Sequence, residues 1–155
     1  MDFQLLSKAF KHEGTIQDLY TCKGKNISPP LIWVNPPEET KSYALIMEDL
    51  DTPLFTFTHW VIYNIPATKR ELSKAIRNEI ILPDGIIQGK NGMRQTGYMG
   101  PCPPWGKHRY SFTIYSLNAV LKADPDINKK KLLKAIENHV LAKANLIGYY
   151  SKKSQ

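Results

Sequence analysis

Residues 109–117 read RYSFTIYSL, a stretch whose side chains alternate between the two faces of an extended strand. Because successive side chains of a strand point to opposite sides, Tyr110 and Phe112 share one face while Tyr115 lies on the other. Large aromatic side chains on both faces are expected where a strand is covered on both sides, as it is inside a β-sandwich. This stretch therefore predicts a β-rich fold.

Two apolar runs upstream support the same fold. Residues 42–48 (SYALIME) and 59–65 (HWVIYNI) are nearly continuous in apolar side chains and are short enough to be buried strands. The chain also has eleven prolines and nine glycines, spread over many short stretches. Such a distribution is typical of strands joined by loops and not of a helical bundle.

In the C-terminal part of the chain, the spacing of the apolar residues changes from that of a strand to that of a helix. Leucine, isoleucine, valine and alanine recur at helical spacing, which predicts a C-terminal helix over residues 128–146. Asp124 or Asp126 would cap the first turn of this helix, and Gly148 would end it.

Length and charge narrow the classes of function. A chain of 155 residues fits a single domain, residues 1–155, with a sizeable core. The net charge is +7, from 21 lysines and arginines against 14 acidic residues, but the lysines are scattered and no nucleic-acid-binding motif is present. We therefore predict no nucleic-acid partner.

Targeting signals and cysteine content predict the compartment. The first ten residues lack the apolar core of a signal peptide, and no stretch is long enough to cross a bilayer. The protein is therefore predicted to be cytoplasmic, with no stable membrane insertion. Cys22 and Cys102 could pair, but free thiols are the favoured state in a reducing cytosol.

Polar side chains gather where the predicted strands begin or end. Asp49 and Asp51 follow the first apolar run, His59 opens the second, and His108 precedes the alternating strand. Three interpretations stay open: ligands for zinc or manganese, a general acid and base in a hydrolase, or histidines that donate hydrogen bonds to an anion. A nearby carboxylate would favour the protonated histidine that the third interpretation needs.

Five blocks of the sequence resemble the bacterial and archaeal branch of the phosphatidylethanolamine-binding and Raf-kinase-inhibitor protein family. They are YTCKGKNISPPLIW, SYALIMEDLDTP, HWVIYNIPA, GYMGPCPPWGKHRYSFTIYSL and LAKANLIGYY, and the likeness extends over residues 3–149. The resemblance implies a mainly β protein, an antiparallel β-sandwich with peripheral helices, and one pocket that accepts phosphate-like groups.

Carried onto this sequence, the family's pocket implies nine ligand-binding positions: Asp49, Asp51, His59, Tyr98, Gly100, Pro101, Pro103, His108 and Tyr110. His59 and His108 would hold the anion, with the Tyr110 hydroxyl as a further donor. Asp49 would orient a histidine, and Asp51 would brace the turn that follows the strand.

The function that the resemblance implies is binding and regulation, with no catalysis and no cofactor or metal. The partners would be a small phosphate-type anion or lipid headgroup, and a kinase or serine protease inhibited through the loops at 54–58 or 105–107. Phe55, where the family often has glycine, would anchor in a protease pocket, while Leu50 replaces the usual proline between the aspartates. A metal-assisted or acid–base hydrolase that uses the Asp and His cluster is the alternative, and a homodimer also stays open.

Overall fold

The computed structural model describes residues 1–152. The strands in this part of the chain are β1 (Gln4–Leu6), β2 (Gly14–Thr15), β3 (Leu31–Val34), β4 (Ser42–Asp49), β5 (Phe57–Pro66), β6 (Glu71–Leu72), β7 (Ile87–Gln88), β8 (Lys107–Leu117) and β9 (Val140–Ser151). The α-helix is α1 (Lys129–Ile136), and short 3-10 helices lie at Asp18–Tyr20 and Pro83–Gly85. Within the described residues, no helix has the length and apolar character needed to cross a membrane.

The strands form two sheets. The larger sheet has the order β2-β9-β8-β4-β5-β7, and the smaller sheet has the order β1-β3-β6. Neighbouring strands are antiparallel except for β2 and β9, which are parallel. The predicted antiparallel β-sandwich is therefore confirmed.

The larger sheet is buried on both faces. One apolar cluster joins the two sheets and includes Trp33 of β3 and Phe112 of β8. On the other face, Leu132 and Ile136 of α1 belong to a second cluster with side chains of β4 and β5. Burial on both sides explains why β4 is almost continuously apolar in sequence.

The C-terminal helix is shorter than predicted over 128–146. Helix α1 ends at Ile136, and the chain then forms β9, which pairs with β8 along its length. Burial alternates along β9, with Ala144 and Leu146 inside, so this segment has the two-residue period of a strand. Leu141, which fits the helical spacing, is exposed. Pairing with β8, distant in sequence, overrides the local helical pattern.

The ends of the predicted helix also differ from the prediction. Neither predicted aspartate caps α1; the cap is Asn128, whose Oδ1 accepts the Lys131 backbone N–H at 2.9 Å. Gly148 lies inside β9 and ends no helix. A Cβ atom at Gly148 would come within 2.6 Å of the buried Ile16 side chain, so packing against Ile16 requires the glycine.

The prediction of free thiols is wrong. Cys22 and Cys102 form a disulfide across 80 positions of sequence. The fold brings their Cα atoms to 5.4 Å, within the range that a disulfide spans. Their proximity leaves no local signal, because the two cysteines lie in separate loops that only the tertiary fold brings together.

Candidate functional site

Three neighbouring strands bring polar side chains to one edge of the larger sheet. Strand β4 ends at Asp49, and β5 and β8 both begin beside it because they run antiparallel to it. Asp49 is paired with Phe57 of β5 and with Tyr110 of β8. His59 and His108, near the starts of these two strands, therefore lie at the same edge.

A β-bulge in β5 sets the position of His59. Met47 pairs with Trp60 and Glu48 pairs with Thr58, so His59 is the extra residue between the two pairs. Bulges redirect side chains because they break the alternation of a strand. His59 and its neighbour Trp60 are accordingly both buried.

Hydrogen bonds with Met99 assign the proton on His59. The His59 Nδ1 lies 2.5 Å from the Met99 carbonyl oxygen, and the Met99 N–H donates to the His59 carbonyl oxygen at 3.0 Å. Since a carbonyl oxygen can only accept, Nδ1 carries a proton, which leaves Nε2 for another partner. Burial lowers the pKa of His59 and outweighs the Met99 carbonyl and the Asp49 carboxylate, which raise it. The Asp49 carboxylate acts in the expected direction, but burial is the larger effect and favours the neutral ring.

Asp49 orients His108. Its Oδ2 lies 2.7 Å from the His108 Nδ1, and both side chains are buried. Its Oδ1 accepts the Asp51 backbone N–H at 2.8 Å. Both carboxylate oxygens are therefore engaged by donors of the protein. His108, like His59, uses Nδ1 for the protein and retains Nε2.

Tyr110 lies beside the two imidazoles with a poorly paired hydroxyl. Its ring centroid is 5.3 Å from that of His59, edge to face, and 6.4 Å from that of His108, nearly parallel. The side chain is fully buried, and its hydroxyl interacts with the Asp49 carboxylate but makes no hydrogen bond of normal geometry with any residue that the structure describes. Burial raises the pKa of Tyr110, and the Asp49 carboxylate raises it further, so the hydroxyl keeps its proton. A poorly paired buried donor costs about 1–3 kcal/mol, which a ligand oxygen would recover.

The side chain of Asp51 is paired with a residue of β8. Arg109 binds the Asp51 carboxylate through two groups. The Arg109 Nη2 donates to Oδ1 at 2.8 Å, and the Arg109 backbone N–H donates to Oδ2 at 2.7 Å. These hydrogen bonds lower the pKa of Asp51. Asp51 borders an open depression of about 760 Å³ that is also lined by His108, Trp105 and Lys107. The hydrogen bonds between Asp51 and Arg109 connect the turn after β4 to the start of β8.

The glycine- and proline-rich segment 98–103 forms a wall beside His59. The Tyr98 hydroxyl donates to the Tyr20 carbonyl oxygen at 2.7 Å, so this hydroxyl is already paired. A Cβ atom on Gly100 would lie 2.2 Å from the same carbonyl oxygen, which only glycine avoids. The Pro101 carbonyl oxygen accepts the Cys22 N–H at 3.1 Å, while Pro103 lines a separate depression next to the disulfide.

Three residues that contribute to the site were not predicted from the sequence. Met99 acts through its backbone carbonyl, which every residue has, so no residue type marks it. Asn26 accepts the Gly100 N–H on its Oδ1 at 2.9 Å from 74 positions away. Phe57 packs edge-on against His59 with ring centroids 5.1 Å apart. The alternation of β5 is the one signal that could have indicated Phe57.

The four side chains of the hydrolase alternative do not form a metal-ligand set. Among residues 1–152, no group of three or more His, Cys, Asp or Glu side chains is placed to hold a metal ion. The Asp51 carboxylate is bonded to Arg109. Asp49, His59, His108 and Tyr110 remain together at the sheet edge.

The β-sandwich thus holds two buried imidazoles, a buried carboxylate and a buried tyrosine hydroxyl together at one edge of the larger sheet. The family profile described as phosphatidylethanolamine-binding protein matches residues 6–151. The chain therefore belongs to the phosphatidylethanolamine-binding protein family, which confirms the resemblance found in the sequence. In general terms, membership makes it a binding and regulatory protein.

Relatives share the full length of the chain. A UPF0098 protein of Methanothermobacter thermautotrophicus is 48% identical over 148 residues, which cover 96% of this chain and 98% of the relative. The phosphatidylethanolamine-binding protein homologue of Chlamydia trachomatis superposes with a TM-score of 0.90 at 37% identity, covering 97% of this chain and 98% of that one. YbcL of Escherichia coli, described as a member of the mammalian family, superposes with a TM-score of 0.91 at 30% identity, covering 99% and 100%.

Proposed function

We propose that the protein binds a phosphate-type anion at the site formed by Asp49, His59, His108 and Tyr110, and that this binding serves regulation in the cytoplasm. The observation that carries the proposal is the Tyr110 hydroxyl, a fully buried donor that makes no hydrogen bond of normal geometry with any described residue. Buried donors are nearly always well paired, so a poorly paired one beside two imidazoles points to a ligand acceptor.

The surrounding charges suit an anion. The Asp49 carboxylate would repel one, but both of its oxygens already accept hydrogen bonds, from His108 and from the Asp51 backbone. Each imidazole retains its Nε2, which becomes a second donor when the ring takes up a proton. Inorganic phosphate and the phosphate of a lipid headgroup share this chemistry, so the experiments use both inorganic phosphate and phosphoethanolamine.

Adding phosphate is expected to raise the pKa of His59, because an anion stabilises the protonated ring that burial disfavours. Phosphate affinity should then rise as the pH falls below about 7, by up to about tenfold per pH unit, the limit for uptake of one proton. The measurement is an NMR pH titration of the histidine rings with and without phosphate, repeated with phosphoethanolamine. Sulfate, whose charge is constant in this range, separates this effect from protonation of phosphate itself.

His139 is the internal control for that titration. It lies between α1 and β9, at the opposite end of β8 from the site, with its Nδ1 bonded to the Asn118 Oδ1 at 2.9 Å. Its titration should not respond to phosphate. A His59 curve that is unchanged by both phosphate and sulfate, or that moves no more than the His139 curve, would contradict the proposal.

Tyr110→Phe is expected to weaken phosphate binding about 10- to 100-fold, the value of one hydrogen bond to a charged group. Because the hydroxyl is poorly paired in the free protein, its removal should leave the free energy of unfolding unchanged or raise it by about 1 kcal/mol. The measurements are isothermal titration calorimetry with phosphate and urea unfolding without it.

Tyr98→Phe is the matched control for this variant. It removes a hydroxyl that is already bonded to the Tyr20 carbonyl oxygen, so it should lower the free energy of unfolding by about 1 kcal/mol. Phosphate affinity should change less than in Tyr110→Phe. If Tyr110→Phe binds phosphate normally and destabilises the protein as much as Tyr98→Phe, the hydroxyl has no ligand role.

A second candidate function is inhibition of a serine protease or a kinase through the loop between β4 and β5. This loop exposes two large apolar side chains, Leu54 at 103% and Phe55 at 63% of full exposure. The Phe55 N–H donates to the Pro53 carbonyl oxygen at 2.9 Å, which closes a tight turn that projects both side chains. Exposed apolar anchors of this kind are typical of protein contacts.

The protease inhibition is tested with Phe55→Ala against a protease that has an apolar specificity pocket, with a kinase assay in parallel. Inhibition should fall at least about tenfold, because an aromatic anchor carries much of such an interface. Val120→Ala, at an equally exposed valine far from the loop in sequence, is the control. Inhibition that survives Phe55→Ala would remove this candidate.

A further inference from the structure

The Cys22–Cys102 disulfide joins the wall of the site to the loop that contains Cys22. Cys102 lies in the wall, and Cys22 follows the 3-10 helix Asp18–Tyr20. Neither cysteine lies in a regular strand or helix. Besides the disulfide, the wall and the loop share three hydrogen bonds: Tyr98 hydroxyl to Tyr20, Gly100 N–H to Asn26, and Cys22 N–H to Pro101.

The same wall holds His59. Met99, three positions from Cys102, exchanges two hydrogen bonds with His59, one of which assigns the proton on the ring. A displacement of the wall would therefore release the imidazole that the proposed anion site depends on. The connection runs from the disulfide through one short segment to His59.

The disulfide is accessible to a reductant. Both cysteines are exposed and line a depression of about 360 Å³ beside Lys23 and Lys152. These two lysines favour the approach of a negatively charged thiolate. In the cytoplasm that the sequence predicts, a disulfide meets reducing dithiols, and cytosolic disulfides are commonly redox-sensing.

We propose that the Cys22–Cys102 disulfide is a redox switch for the anion site, an inference that rests on the proposed function. The reductant is a dithiol. Its thiolate attacks one sulfur of the disulfide, the S–S bond breaks, and a mixed disulfide forms. The second thiol of the reductant then displaces the bound cysteine. Cys22 and Cys102 gain two electrons and two protons as thiols, and the reductant leaves as its own disulfide.

Reduction weakens anion binding because it removes preorganisation. In the oxidised protein, the covalent link helps keep the Met99 carbonyl against His59, so the ring is already oriented when the anion arrives. In the reduced protein, only noncovalent contacts hold the wall, among them the three hydrogen bonds to the loop and the packing of Tyr98 against Trp60, and binding must order the wall again. We expect phosphate affinity to fall about three- to tenfold on reduction, since ordering a mobile segment lowers affinity.

The test compares phosphate binding by the oxidised full-length protein with binding by the same protein reduced with dithiothreitol. This dithiol is uncharged, so it does not compete for an anion site. Cys22→Ser/Cys102→Ser is the control: it should bind phosphate as weakly as the reduced protein and show no response to dithiothreitol. Circular dichroism confirms that each form is folded, and NMR follows the His59 ring signals without ligand.

The outcomes separate this inference from the proposed function. Weaker binding on reduction, restored on reoxidation and accompanied by a shift of the His59 signals, supports the switch. Equal phosphate affinity of folded oxidised and reduced protein overturns it. Unfolding on reduction also overturns it, because the disulfide would then stabilise the whole fold and not the site. If the oxidised protein binds no phosphate at all, the result contradicts the proposed function itself, and the redox switch is then overturned as well.

Discussion

Trp60→Ala is expected to lower the free energy of unfolding by about 4 kcal/mol, the largest loss that we predict for a single substitution. Trp60 is fully buried in the cluster between the two sheets, where alanine would leave a large cavity. Its Nε1–H donates to the Gln88 Oε1 at 2.8 Å, so truncation also removes the donor from a buried amide oxygen. Urea unfolding followed by circular dichroism measures the loss.

The Trp60→Ala substitution should also affect the candidate site. The Trp60 ring packs edge-on against Tyr98, with centroids 5.5 Å apart, and Tyr98 begins the wall beside His59. Phosphate binding should therefore weaken even where the variant is folded. Trp105→Ala is the matched control, since Trp105 is 68% exposed and its loss should change stability by less than about 0.5 kcal/mol. Equal unfolding midpoints for the two variants would show that Trp60 does not support the core as described.

Asp49→Ala is expected to lower the free energy of unfolding by about 1–3 kcal/mol, because it leaves the buried His108 Nδ1 without its hydrogen-bond partner. Asp49 is 3% exposed, and its carboxylate is the acceptor for the buried His108 Nδ1 and for the Asp51 N–H. His108 would lose its fixed orientation, so phosphate binding should fall in the same variant. Urea unfolding and calorimetry measure the two effects.

Asp51→Ala is the control for Asp49→Ala. The Asp51 carboxylate pairs with Arg109 at the surface, where solvent screens the interaction, so its removal should cost clearly less than removal of Asp49. A loss of stability as large as that of Asp49→Ala would reverse our assignment of the two aspartates. Unchanged phosphate binding in a folded Asp49→Ala variant would show that Asp49 does not orient His108 for a ligand.

Much of the fold and part of the site could be predicted from local sequence. Alternation over residues 109–117 and the apolar runs at 42–48 and 59–65 are local properties, so β8, β4 and β5 follow from them. Because these strands are antiparallel neighbours, polar residues at their ends come together. Asp49 and His108 are predictable on this basis.

The structure of the C-terminal segment could not be predicted from local sequence. Residues 140–146 have the spacing of a helix, yet they form β9 because β8 offers a long antiparallel partner. Hydrogen bonding to a strand distant in sequence leaves no mark on the spacing itself. The local pattern predicted a helix where α1 lies, at Lys129–Ile136, but it predicted neither the end of the helix nor its cap at Asn128.

By itself, the sequence determined a β-rich fold with acidic and histidine side chains at the ends of its buried strands, since periodicity and strand-end position are properties of neighbouring residues. Only the tertiary structure decided the disulfide, the bulge that redirects His59, the Met99 carbonyl that assigns its proton, and the poorly paired Tyr110 hydroxyl. Each of these depends on a distance or a burial that segments far apart in the chain create together. Burial in particular lowers the pKa of His59, because loss of water outweighs the nearby carboxylate.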